Sequence, residues 1–123
     1  MEWNIILKKE NQYAEIITSG IADRERSLKM AKAISITMSK NKIKKILIDH
    51  RNISSVTGTI IEIYHRPKEF KEIGVIRDIK VAEVVRPEHK EFFNFLETVC
   101  VNRGYLFSIF EDRKSALEWL LKT

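Results

Sequence analysis

Tyr105 to Thr123, Y-L-F-S-I-F-E-D-R-K-S-A-L-E-W-L-L-K-T, decides the fold. Tyr105 to Phe110 is an apolar run rich in β-forming residues; it breaks at Glu111-Asp112, and Ala116, Leu117, Leu120 and Leu121 then recur at helical spacing. A buried strand therefore feeds an amphipathic helix with almost no loop. That unit belongs to an α/β domain, and the rest of the chain repeats it.

Working back from Tyr105, Gly104 suits the left-handed residue that ends a helix, with Tyr105 placed for the hydrophobic contact of a Schellman cap. The helix it ends runs from Glu88 to Asn102, with Phe92, Leu96, Val99 and Cys100 at i, i+4, i+7 and i+8 on one face. Ile79 to Val85 reads as a strand stopped by Arg86-Pro87. Thr59 to Ile73 carries Ile60, Ile61, Ile63, Tyr64, Phe70 and Ile73 in a helical pattern, and Pro67 inside it predicts a kink or a restart.

Lys44 to Asp49 has the continuous Ile46-Leu47-Ile48 core of a strand buried on both faces in a parallel sheet, and Arg51 to Gly58 reads as a polar loop after it. Leu28, Ala31, Ile34 and Met38 mark a first helix that opens at Ala22 or Asp23 and ends at Asn41. Trp3 to Leu7 and Tyr13 to Thr18, separated by the polar Lys8 to Gln12, form an antiparallel hairpin that ends at Ser19-Gly20. The order is ββαβαβαβα. It predicts an α/β fold with a mixed five-stranded sheet, the first strand antiparallel, and helices packed on it.

Composition agrees with one globular domain: 123 residues, 44% hydrophobic and 32% charged, with too few prolines and glycines for a linker. No apolar run approaches the roughly 20 residues of a membrane helix, and M-E-W-N-I-I-L-K-K lacks a signal-peptide layout. Cys100, the single cysteine, cannot form an internal disulfide. A cytoplasmic location is the expectation. The net charge of +5 is scattered; its densest run, Lys40, Lys42, Lys44 and Lys45, falls where a helix ends, a position its dipole favours. Without interleaved aromatics, that run predicts no nucleic-acid partner.

Four stretches together carry a resemblance: I-L-I-D at Ile46 to Asp49, the Thr57-Gly58 pair, E-T-V-C-V-N-R-G at Glu97 to Gly104, and F-E-D-R-K-S-A-L-E-W-L at Phe110 to Leu120. Over nearly its whole length the chain resembles the SpoIIAA-like proteins, relatives of the STAS domain, which implies one such domain over residues 1–123. In anti-sigma factor antagonists of this group the loop after the matching strand carries Asp-Ser-Ser-Gly, whose serine a partner kinase phosphorylates. Here it reads R-N-I-S-S-V-T-G-T, so Asp-Ser-Ser-Gly is absent, and Thr57 stands directly before Gly58. The expected role is a non-enzymatic protein-interaction or regulatory module. Because the wider fold group includes apolar-ligand carriers, the alternative is a carrier or sensor of a small apolar or anionic ligand.

Ligands of open α/β sheets bind beyond the carboxyl ends of parallel strands, an edge that gathers Ser19, Gly20, His50 to Gly58, Arg86 and Glu111 to Arg113. Ser55, Thr57 and Thr59 lie at a helix N-terminus able to hold an anion, and Arg51 and Arg86 can add charge-assisted contacts. The candidate binding set is Arg51, Ser54, Ser55, Thr57, Gly58 and Arg86, with Ser55 and Thr57 as candidate phosphoacceptors. The competing reading makes one Ser or Thr a helix cap and the arginines solvated strand ends.

Tyr64, His65, Arg66 and Phe70 surround Pro67, as a lid over an apolar pocket or as a surface helix bent around the core. Asp49 and His50 are adjacent on a strand and point to opposite faces, so no catalytic pair is assigned. His50, His65 and His89 have no metal-ligand spacing, and no glycine-rich phosphate loop is present, so neither a metal nor a cofactor is expected. Cys100 reads as a small buried hydrophobe, and Asn102-Arg103-Gly104 as a helix end. The hairpin edge or an apolar helix face offers a surface for a protein partner or a homodimer.

Overall fold

Ile46, Leu47 and Ile48 lie at the centre of the sheet, each almost fully covered, as a strand sandwiched between two layers requires. The computed structural model describes residues 1–75 and 77–122. Its strands are β1 (Glu2–Lys8), β2 (Tyr13–Ala22), β3 (Lys45–Val56), β4 (Lys80–Val84) and β5 (Leu106–Phe110). Its helices are α1 (Arg24–Asn41), α2 (Ile60–Glu72), α3 (Lys90–Asn102) and α4 (Arg113–Leu121), with a short 3-10 turn at Pro87–His89. The sheet runs β1-β2-β3-β4-β5, with β1 antiparallel to β2 and the other pairs parallel.

Because strand order follows chain order, successive right-handed crossovers step the same way and leave their helices on one face. Met30, Ile34 and Met38 of α1, Ile63 of α2, and Phe93, Leu96, Val99 and Cys100 of α3 share one core with Ala14, Ile16, Ile46, Ile48, Val81 and Phe107. The terminal helix α4 takes the opposite face, where Ala116 and Leu120 meet Tyr13, Leu47, Ala82 and Val84. Lys80 fixes the end of α4: its Nζ lies 4.5 Å over the Trp119 ring and donates to the Trp119 carbonyl at 2.6 Å.

The caps explain where the helices begin and stop. Asp23 and Asp112 each accept a backbone N–H, from Arg26 and Ser115, both at 2.8 Å. At the end of α3, Gly104 adopts φ +90, the Tyr105 N–H donates to the Cys100 carbonyl and the Gly104 N–H to the Val101 carbonyl, a Schellman motif.

The structure departs from the sequence reading in two places and, at Pro67, decides against a restart. Arg51 to Val56 is not a loop but the second half of β3, which pairs with an extension of β2 through Ser19, Gly20, Ile21 and Ala22. Two register shifts interrupt that pairing, and Gly20, at φ +87, sits between them. α2 passes through Pro67 as one helix; the ring is buried, and a proline removes one intrahelical donor without ending a helix that packing holds on its inner face. On α3 it is Phe93 rather than Phe92 that is fully buried, with Phe92 packed edge-on against it at 5.1 Å between ring centroids.

Candidate functional site

The carboxyl edge of the sheet leads into α2 through Thr57 and Gly58. Thr57 is exposed, and its backbone N–H donates to the Ala22 carbonyl at 2.8 Å, tying the end of β3 to the end of β2. Gly58 takes φ +149, a backbone region that side chains disfavour, with Phe92 beside it. Thr59 then caps α2: its hydroxyl accepts from the Glu62 N–H at 3.1 Å while the Glu62 carboxylate accepts from the Thr59 N–H at 2.9 Å. This capping box satisfies donors at the helix start, so Ser55 and Thr57 are not needed as caps.

The remaining candidates of that edge are spread apart. Ser54 is exposed and Ser55 half-buried on β3. Arg51 turns to the α4 face, where its Nε and Nη2 donate to the two Asp49 carboxylate oxygens at 2.9 and 2.8 Å. Hydrogen bonds from Arg51 hold the Asp49 carboxyl below its ordinary value, against the upward push of burial, which is the larger single effect opposing them. Arg86 pairs with Glu88 at 2.7 Å. The structure therefore brings Thr57 and Gly58 to the start of α2 and commits both arginines elsewhere.

His50 goes the other way, beneath the three-helix layer. Its Nδ1 lies 2.7 Å from Thr18 Oγ1, its Nε2 lies 3.5 Å from Glu83 Oε2, and its ring stacks on Phe93 at 5.0 Å. Asp49 and His50 thus face opposite layers and share no cleft. Around His50 opens a cavity of ≈ 790 Å³ between the sheet and the three helices, with mostly apolar walls. Its polar lining includes His50, Glu83, Arg66 and the neighbouring Cys100. All four are buried, Arg66 to 3% exposure.

Burial lowers the Arg66 guanidinium from its ordinary value, and burial together with Glu83 pushes the Cys100 thiol up to about 12. Arg66 Nε and Glu83 Oε1 have no hydrogen-bond partner among the described residues. Of the four residues around Pro67, Arg66 and Phe70 line this cavity, while Tyr64 and His65 point outward from α2.

No protein-family model matches the chain, and no curated protein does. Among solved structures, an uncharacterised protein of the DUF3478 family with a SpoIIAA-like fold from Shewanella loihica PV-4 superposes with a TM-score of 0.58, at 20% identity over 97% of this chain and 92% of that one. The anti-sigma factor antagonist SpoIIAA in its unphosphorylated form superposes with a TM-score of 0.56, at 12% identity over 99% of this chain and 100% of that one. The chain has the SpoIIAA-like fold.

Within this SpoIIAA-like fold the outer face of α2 exposes three large apolar side chains. Ile60 and Ile61 are each 70% exposed and Tyr64 52%, although the same helix buries Ile63, Arg66 and Pro67 on its inner side. Arg103, just beyond the end of α3, lies 5.7 Å over the Tyr64 ring. The helical pattern over Thr59 to Ile73 did not separate Ile60, Ile61 and Tyr64 from the buried apolar residues of the same helix. The T-I-I-E spacing of the capping box was the signal that places them, because it sets the helix phase from Thr59 onward. No described helix is long and apolar enough to cross a membrane.

Proposed function

We propose that residues 1–123 form a non-enzymatic SpoIIAA-like binding domain that engages a partner protein through the outer face of α2. The exposed trio Ile60, Ile61 and Tyr64 carries this reading. Large apolar side chains clustered on one solvent-facing helix surface mark interaction sites, and a central apolar anchor is what such interfaces use. The superposed SpoIIAA is described as an anti-sigma factor antagonist, a role exercised on another protein. A different protein fits this face better than a second copy, since two chains of net charge +5 repel.

Thr57 and Ser55 adjoin that face, and their phosphorylation would place negative charge beside the α2 N-terminus, where the dipole tolerates it. Gly58 lies at the start of α2 beside them, whereas Arg51 and Arg86 are committed to Asp49 and Glu88 and are not part of this surface. Affinity capture from the native cells, comparing the wild type with Ile61→Ser, tests the reading. A protein retained by the wild type and lost by a folded Ile61→Ser supports it, and identical capture by both contradicts it. Intact-mass analysis of the same material shows a phosphorylated fraction if Ser55 or Thr57 is used; its absence under every growth condition removes that part.

A further inference from the structure

We propose that two copies of this chain associate edge to edge through β1, in one antiparallel register centred on Ile5, so that their sheets become continuous. β1 pairs with β2 alone, and no described strand lies on its other side. An edge strand presents a row of N–H and C=O groups on its open side, a template for another strand. The opposite edge of the sheet is partly closed, because the Ile109 N–H of β5 donates to a Glu97 carboxylate oxygen of α3 at 2.9 Å. β1 keeps a plain edge. Its pairing with β2 runs unbroken from Glu2 to Lys8, without the bulge or proline that blunts an edge.

Turned end for end, β1 is complementary to itself. Overlap along the whole strand, E-W-N-I-I-L-K, sets Glu2 opposite Lys8 of the second copy, Trp3 opposite Leu7, Asn4 opposite Ile6, and Ile5 opposite its own counterpart. The only two charges of the strand then meet opposite charges, and the two-fold axis makes each pair twice. Both are exposed, and among the described residues neither forms an ion pair within the chain. A shift by two residues either way loses both pairs, and a shift by one turns the apolar set of one copy to the other face of the sheet. Trp3, Ile5 and Leu7 are half-buried at the rim of the core under the helix layer. In the centred register they meet the same row of the second copy, so the core continues across the joint and the rim is covered. The net charge of +5 on each chain opposes association, but it is spread over the molecule and screened beyond about 8 Å, whereas the Glu2–Lys8 pairs act at the joint itself. The outer face of α2 takes no part, so this association is separate from the partner surface proposed above.

Sedimentation equilibrium of the full chain tests the register by charge reversal. The wild type should show a concentration-dependent dimer. Glu2→Lys and Lys8→Glu should each weaken it by roughly tenfold or more, since each change enters two cross-strand pairs, and the double variant should recover it. Lys8→Glu lowers the net charge, so general repulsion alone would make that variant associate more tightly, a result that overturns the proposal. Ile5→Cys lies on the axis, where facing Cα atoms are about 4.5–5.5 Å apart and within disulfide reach, so mild oxidation should cross-link it while Asn4→Cys stays uncross-linked. A wild type that is monomeric at sub-millimolar concentration, its edge left to a strand of a different protein, overturns the dimer. A dimer indifferent to both single reversals overturns the β1 register.

Discussion

Thr18 Oγ1 lies 2.7 Å from His50 Nδ1, and the same hydroxyl donates to the Asp49 carbonyl at 3.1 Å. One buried threonine on β2 thus orients the imidazole on β3 that faces Glu83 on β4. A hydroxyl has one proton and two lone pairs, so donation to the Asp49 carbonyl leaves its oxygen to accept from His50 Nδ1–H.

Thr18→Val removes that partner and leaves a buried ring nitrogen unsatisfied. The expected loss of stability is about 1–3 kcal/mol, whereas Thr18→Ser, which keeps the hydroxyl, should lose much less. Urea unfolding of the two variants, at unchanged m-value, measures the difference.

Cys100 should be inert while the chain is folded. Burial is the main reason its thiol is pushed from 9.0 to about 12, so at neutral pH iodoacetamide should label it only after unfolding. The folded state favours the protonated thiol, and the stability this contributes is full below pH 9.0 and lost as pH rises toward about 12. Cys100→Ala should therefore show a shallower alkaline loss of stability than the wild type.

At acid pH the helix caps control part of the response. Asp23 and Asp112 are held below 3.8 chiefly by the backbone hydrogen bonds they accept from Arg26 and Ser115. Their contribution is full above 3.8 and disappears as pH falls through the lowered folded values. Asparagine accepts the same bond without titrating, so an Asp23→Asn, Asp112→Asn variant should lose less Tm than the wild type between about pH 4 and pH 2.

Thr59→Ala should cost about 1 kcal/mol through loss of the capping box. Amide hydrogen exchange locates the effect: protection should fall in the first turn of α2 and stay unchanged in α3.

The elements with strong periodicity were legible in the sequence. Ile46-Leu47-Ile48, the Leu106–Phe110 strand and α4 appear where their patterns place them, as does the Gly104 stop. The long end of β3 was not, because Arg51 to Val56 buries Ile53 alone among mostly polar residues, and register shifts disturb the two-residue alternation. The F-F-N-F run of α3 left the helix phase ambiguous between Phe92 and Phe93. The cavity left still less trace. A charged residue on an amphipathic helix is expected to face water, so nothing in the sequence signals that Arg66 is buried or that Thr18, His50 and Glu83 converge from three strands.

The central claim, that the outer face of α2 is a partner surface, is tested most directly by photo-crosslinking in the native cells from a probe at Ile61, with exposed Lys114 on the α4 face as control. The account predicts an adduct with a different protein from Ile61 and none from Lys114. An absence of adducts at Ile61, or an adduct with a second copy of this chain, would contradict it.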